Sequence, residues 1–161
     1  MEIERKFLVR QLPPNYEAFE HYEIEQGYLC TSPTLRIRRM GDAYILTVKE
    51  HLPVRPGSPI VNREEEFALS AESYSRLKGK CDGNFVSKTR YRIDLRKLMG
   101  DGLYCGLVAE LDIFHGRHEG LRLVEVEFPN VDAANAFVKP EWFGEDVSQD
   151  PHYRNSYISA H

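Results

Sequence analysis

The 161-residue sequence predicts a mainly β fold with a few helices, its strands connected antiparallel as a barrel or a sandwich. Three observations lead there. Eight segments alternate in polarity with a period of two, the pattern of strands with two unlike faces. Turn signals separate several of them at short range. And one of the two faces is charged on nearly every strand, not just on a few.

The alternating segments run Glu2 to Val9, Tyr22 to Leu29, Leu35 to Arg39, Tyr44 to Glu50, Arg63 to Leu69, Val86 to Leu95, Leu107 to Phe114 and Leu121 to Phe128. Gly41 and Asp42 are expected to join the third and fourth as a hairpin turn, although the favoured order is Asp-Gly. Met99 to Gly102 is expected to do the same between Leu95 and Leu103. Ser70 is placed to cap a helix from Ala71 to Lys80, with Tyr74 and Leu77 on its buried face. Asp132 is placed to cap a second helix from Ala133 to Val138, which Pro140 ends. The stretch Leu52 to Pro59, which holds Pro53, Pro56, Gly57 and Pro59, reads as an extended loop. No repeat, low-complexity tract or second domain is visible, so residues 1–161 are expected to form one domain.

Composition narrows the class. The hydrophobic fraction of 42% is enough for an ordinary core, and the formal net charge of −4 argues against a general nucleic-acid binder. No apolar run approaches the ~20 residues that span a bilayer. Met1 to Lys6 has no apolar signal core behind a basic head. Cys30, Cys81 and Cys105 are odd in number and lack metal-ligand spacing, which reads as reduced thiols in the cytoplasm. His115 and His118 sit between turn-forming Gly116 and Gly120 and read as an exposed loop, and Trp142 as a packing anchor.

The charged face carries the functional signal. Glu2, Glu4 and Lys6 share one side of their strand, as do Arg36 and Arg38, Thr47 and Lys49, Lys88, Arg90 and Arg92, Glu110 and Asp112, and Glu125 and Glu127. Alternation alone leaves two arrangements open: charged faces in water over a single core, or an inside-out barrel with charge lining its interior. The signs are sorted, with paired bases on the middle strands and paired acids on the first and late ones. Residues i and i+2 stand roughly 7 Å apart on one face, and neighbouring strands lie ~4.8 Å apart. Glu2 and Glu4 beside Glu125 and Glu127 would crowd four carboxylates that repel one another unless a cation joins them. Hard oxygen ligands suit Mg2+ or Mn2+. Paired arginines and lysines suit phosphate oxygens.

Glu2-Ile3-Glu4-Arg5-Lys6-Phe7-Leu8 resembles the ExExK signature that opens the CYTH, or triphosphate tunnel metalloenzyme, superfamily. Gln26 to Leu29, Leu35 to Arg38, Thr47 to Lys49, Lys88 to Tyr91, Glu110 to Asp112 and Val124 to Phe128 resemble family strands in family order. Trp142 to Gly144 and Tyr153 to Asn155 are similar to the small bacterial triphosphatase-like branch. The resemblance covers essentially the whole chain. It implies an eight-stranded antiparallel β-barrel forming a charged tunnel, with a few peripheral helices.

The resemblance also implies roles. Glu2, Glu4, Glu125 and Glu127 would hold Mg2+ or Mn2+. Lys6, Arg36, Arg38, Lys49, Lys88, Arg90 and Arg154 would bind substrate, with Arg36 and Arg38 also stabilising the transition state. Arg154 stands where the family has a basic residue before asparagine. Glu4 or Asp112 would accept the proton, and Glu110 is a further tunnel acid. The family's Arg-x-Glu-x-Glu strand reads here Asn62 to Leu69. With Phe67 and Leu69 outward, Glu64 and Glu66 face the tunnel; a bulge would instead turn Arg63 and Glu65 inward. The expected partner is a triphosphate-containing small molecule, with no nucleic acid or membrane, and a homodimer stays open.

The implied activity is metal-dependent hydrolysis of a triphosphate, foremost inorganic triphosphate to pyrophosphate and phosphate. A class IV-type adenylate cyclase and a thiamine or nucleoside triphosphatase are the alternatives within the fold. A polyphosphate-binding module is the alternative outside catalysis, and it would have no need of the acidic set.

Overall fold

Alternation in this sequence resolves into closure. In the computed structural model, which describes residues 1–53 and 55–161, the described strands form one antiparallel sheet. The strands are β1 (Glu2–Val9), β2 (Glu20–Thr31), β3 (Thr34–Met40), β4 (Ala43–His51), β5 (Ile60–Ala68), β6 (Asp82–Asp94), β7 (Val108–Phe114), β8 (Arg122–Glu127) and β9 (Phe143–Asp146). They lie in the order β5-β4-β3-β2-β6-β7-β8-β1-β9, and a further β5–β1 pairing closes the first eight into a barrel.

The seam is short and divided. Along one edge of β1, Glu2 to Glu4 pair with β5, whereas Phe7 and Val9 pair with β9. Between them the chain after β9 fills the gap: the Lys6 amide donates to Ser148 Oγ, and the Val147 amide donates to the Lys6 carbonyl. Arg5 points outward and ties this region together, donating to the Ala134 carbonyl, Asn135 and Asp146.

The apolar core lies outside the barrel wall. Phe7, Ile93, Ala109, Leu111, Val124 and Val126, all from outward positions, pack against Leu95, Tyr104, Phe128, Ala134, Trp142 and Phe143. A second cluster of Val86, Phe114, Leu123, Val147 and Ile158 has a different place. Val86 shares the inward phase of Lys88, Phe114 that of Asp112, and Leu123 that of Glu125. The interior therefore turns from charged to apolar at that end.

The helices are α1 (Ala71–Lys78), α2 (Leu95–Met99), α3 (Val131–Ala136) and α4 (Asn155–Ala160). Ser70 caps α1 as expected, accepting from the Ser73 amide, and Tyr74 is buried with its hydroxyl donating to Glu25. Gly41 and Asp42 form the expected two-residue turn; the positive φ of Gly41, 58°, in the first turn position fits a type II′ geometry and explains the Gly-first order. Gly27 is required by packing, since a Cβ there would meet the Phe85 ring at 2.6 Å.

Several expectations change. The cap of α3 is Asn130, not Asp132, because the Asn130 side chain accepts from the Ala133 amide and the helix begins at Val131. Leu95 and Met99 bound no simple hairpin: Asp94 caps α2, Gly100 ends it in the left-handed conformation, and a 3-10 turn over Gly102–Tyr104 follows. β9 and α4 are additions to the expected elements. The predicted loop from Leu52 to Pro59 corresponds to the β4–β5 connection, with Val54 outside the described residues. No described helix is long and apolar enough to cross a membrane.

Leu111, fully buried in the outer layer, gives a test of the inside-out arrangement. Leu111→Ala is expected to cost ~2–5 kcal/mol of unfolding free energy in urea titrations. Loss of less than about 1 kcal/mol would show that this face is not the core.

Candidate active site

The barrel interior holds two connected lobes. The inner lobe, about 250 Å³, is lined by Glu2, Glu4, Glu64, Glu66, Glu110, Glu125 and Glu127 together with Arg36, Arg38, Lys49, Arg90 and Arg92. The other, about 360 Å³, lies where β5 leaves β1 and includes Lys6, Thr34, His51, Asn62 and Arg154. Glu4, Arg36, Lys49 and Asn155 line both. Every charged residue that the sequence placed on an inward face therefore reaches the interior or its wall.

Strand phase accounts for these positions. Cross-strand register sets Lys6 opposite Glu125, Glu4 opposite Glu127, Arg90 opposite Asp112 and Lys49 opposite Glu64. Lys49 Nζ lies 3.0 Å from Glu2 and 3.1 Å from Glu64. Glu64 and Glu66 thus face inward without a bulge, while Arg63 points out to Glu50. The outward Phe67, half exposed, confirms that phase.

Asp112 is a saturated counter-ion. Arg90 grips both its oxygens at 2.8 Å, and Lys88 Nζ adds a contact of 2.8 Å with each partner only 1% exposed. Burial raises the Asp112 pKa, but Arg90 and Lys88 outweigh this and lower it. Burial pushes Lys88 down to about 8 despite Asp112. Both Asp112 oxygens are thus engaged by cations.

Glu4 behaves oppositely. Burial first, then the charges of Glu125 and Glu2, push its carboxyl well above the usual range. Glu125 is held low: burial raises it, yet Lys6, Arg90 and Lys88 together prevail. Glu127, on the exposed end of β8, is raised by burial and by Glu2, Glu110 and Glu64. The four expected cation ligands thus share one lobe, where crowding raises Glu4 and Glu127.

Among the described residues no three His, Cys, Asp or Glu side chains form a ready-made cage for an ion. The donor set nevertheless fits a hard cation. Glu125 Oε1 is buried without a hydrogen-bond partner, with Lys6 Nζ 3.7 Å away, and all the lobe's acidic donors are carboxylate oxygens.

The bases have an opposite deficit. Arg36 is 6% exposed, makes no ion pair among the described residues, and its Nε lacks a hydrogen-bond partner. Arg38 also has an orphaned Nε; its other end donates to Thr47 Oγ1 at 3.3 Å and reaches Glu66 at 3.5 Å. Burial, followed by Arg36 and Arg90, pushes Arg38 down to about 10.

Residues 1–130 match the CYTH domain. The chain belongs to the CYTH family. This CYTH chain is 37% identical to an inorganic triphosphatase of Nitrosomonas europaea, covering 98% of the chain and 96% of that protein. It is 31% identical to an inorganic triphosphatase of Acetivibrio thermocellus, covering 98% and 92%. The crystal structure of the inorganic triphosphatase NE1496 superposes with a TM-score of 0.69 at 34% identity, over 100% of this chain and 95% of that one.

Sequence reasoning missed Tyr22, His51 and Asn62 as lining residues of this CYTH tunnel, and it set Arg92 on the charged face without a role. Their signal was strand phase: His51 lies two beyond Lys49, Asn62 two before Glu64, and Arg92 two beyond Arg90. The proline-rich loop obscured the first two by blurring the strand ends.

The raised pKa of Glu4 sets a pH dependence in chelator. Between the ordinary glutamate pKa and its raised folded value, the folded form holds a proton that the unfolded form releases. Stability is therefore fully present below that window and lost as pH rises through it. Glu125 acts in the opposite sense, but only in more acid solution. Glu4→Gln is expected to flatten thermal stability across the window and to melt above the parent at pH 8. Parallel parent and variant curves would show that Glu4 ionises there without cost.

Proposed function

We propose that the chain hydrolyses inorganic triphosphate to pyrophosphate and phosphate with the aid of Mg2+ or Mn2+. The observation that carries this reading is Arg36, a buried guanidinium between two lobes with no carboxylate partner. An unpaired buried cation is costly in free energy, and a polyanion lying across both lobes supplies the missing charge. Relatives named inorganic triphosphatases over nearly the full chain support the same substrate.

CYTH triphosphatases depend on metal in general. Glu2, Glu4, Glu125 and Glu127 would hold the cation in the inner lobe, where its charge would offset that of the phosphate oxygens. Arg36 and Arg38 bind and orient the phosphates and stabilise charge that builds on them as the bond breaks. Lys6 and Arg154 extend the cationic wall through the second lobe. Lys49, already shared by Glu2 and Glu64, couples the acidic and basic walls. Arg90 and Lys88, fixed by Asp112, provide a constant positive field and do not move with substrate.

In the reaction, a water oxygen bonds to a terminal phosphorus while the bridging P–O bond breaks and its electron pair leaves on pyrophosphate. The water proton goes to Glu4. Of the two carboxyls expected to accept it, only Glu4 is free of a guanidinium clamp.

Phosphate release from triphosphate tests this directly. Turnover is expected with added Mg2+ or Mn2+ and none in excess chelator. Arg36→Ala should lower turnover by a factor of order 10² and weaken metal-free triphosphate binding by roughly tenfold or more, with the fold intact. Parent-like binding and turnover in this variant would refute the role of the unpaired guanidinium.

A further inference from the structure

The barrel's closing seam contains a hydrogen-bond relay outside the phosphate-binding set. Asn62 stands opposite Glu2 of β1 on one side and opposite His51 of β4 on the other. Its side chain is fully buried and engaged at both ends. Asn62 Nδ2 donates to Glu2 Oε1 at 2.8 Å, and Asn62 Oδ1 meets His51 Nδ1 at 2.6 Å.

The chemistry of these groups leaves one orientation. A carboxylate accepts, so the NH2 end of Asn62 must face Glu2. Its carbonyl then faces His51 and also accepts, so His51 Nδ1 must carry the hydrogen. The reverse arrangement would set acceptor against acceptor at one contact, at a side chain that is itself fully buried. A neutral His51 is therefore the Nδ1–H tautomer, with Nε2 bare. Burial first, then Arg154, Lys49 and Lys6, favour that neutral form.

Glu2 feels two donors on the same oxygen. Lys49 Nζ lies 3.0 Å from Oε1, the oxygen that Asn62 also holds. That arrangement leaves Oε2 for the inner lobe. Without Asn62, the flexible lysine would be the only group fixing the Glu2 head.

We propose that Asn62 and His51 are positioning residues that aim Glu2 at the cation site, with His51 locking the amide of Asn62 through its Nδ1–H tautomer. The inference rests on the reading that Glu2 belongs to the cation-holding set, and it extends that reading to two residues of the second lobe's wall that act on Glu2 through the relay. Groups that orient metal ligands in this way typically change affinity by about 10- to 100-fold when removed.

Two measurements on the full chain test it. Nitrogen-15 ring correlations of the metal-free protein, with the His51 signals assigned by their loss in His51→Gln, are expected to show the Nδ1–H tautomer. An Nε2–H tautomer would overturn the relay. Manganese binding, read from the paramagnetic resonance of free Mn2+, is expected to weaken about tenfold in His51→Phe and in Asn62→Leu. His51→Gln, whose amide can again donate to Asn62, should recover most of that loss, which a merely structural defect would not do. His51 is only half-buried, so His51→Phe carries the test if Asn62→Leu fails to fold. Glu2→Gln separates the two levels. If it leaves Mn2+ binding intact, the assignment of Glu2 fails and the positioning role falls with it. If it abolishes binding while a folded His51→Phe binds like the parent, Glu2 stands and the relay is refuted.

Discussion

Charge buried in a closed barrel is the constraint on which the rest of this structure depends. Closing a sheet on itself removes its edges, but it also gives every inward side chain the same small space. Ionised groups there need partners, because desolvation is expensive and water cannot replace a missing counter-ion cheaply. The interior answers in two ways. Lys88, Arg90 and Asp112 satisfy one another in a tight triad. Arg36, Glu4 and Glu125 are left incompletely matched. The proposed function draws on the second group, and the first gives it a rigid wall.

The same constraint decides where the hydrophobic core sits. With the inside given to charge, apolar burial has to come from the outer face, which explains why short helices and β9 pack against it. Arg5 shows the coupling within one motif. Its neighbours Glu4 and Lys6 face the tunnel, whereas its guanidinium reaches out to α3 and β9. A single strand thereby lines the tunnel on one side and anchors the supporting layer on the other.

Much of this was legible in the sequence because a two-residue period is a direct record of which way a side chain points. The inward sets on β1, β3, β6 and β8 follow from it without help. The period could not tell inside from outside, since solvated faces and a charged tunnel alternate identically; the family resemblance supplied that choice. Other features were written in less regular signals. β9 spans four residues, too few to show a period, and α2 and α4 have only five and six. The cap of α3 went to Asn130 because Asn and Asp are near-equivalent caps, so position alone had to decide. His51 and Asn62 belong to strands whose ends merge into a loop rich in proline. What register does to them, bringing β4, β5 and β1 side by side, depends on closure and is invisible in any local window.

The divided edge of β1 bears on how the chain is made. β1 precedes every other described strand, yet its partners are β5, β8 and β9, the last two separated from it by more than a hundred positions. Such non-local pairing must wait until the loop-closure entropy can be repaid, which makes assembly slow and leaves early strands unpaired during synthesis. A nascent chain can form the β2–β3–β4 meander on its own, but it cannot bring Glu4 to Glu125 until β8 has emerged. Assembly of the charged interior thus arrives with topological completion, because until β8 is in place Glu4 and Lys6 lack the neighbours that the closed barrel gives them.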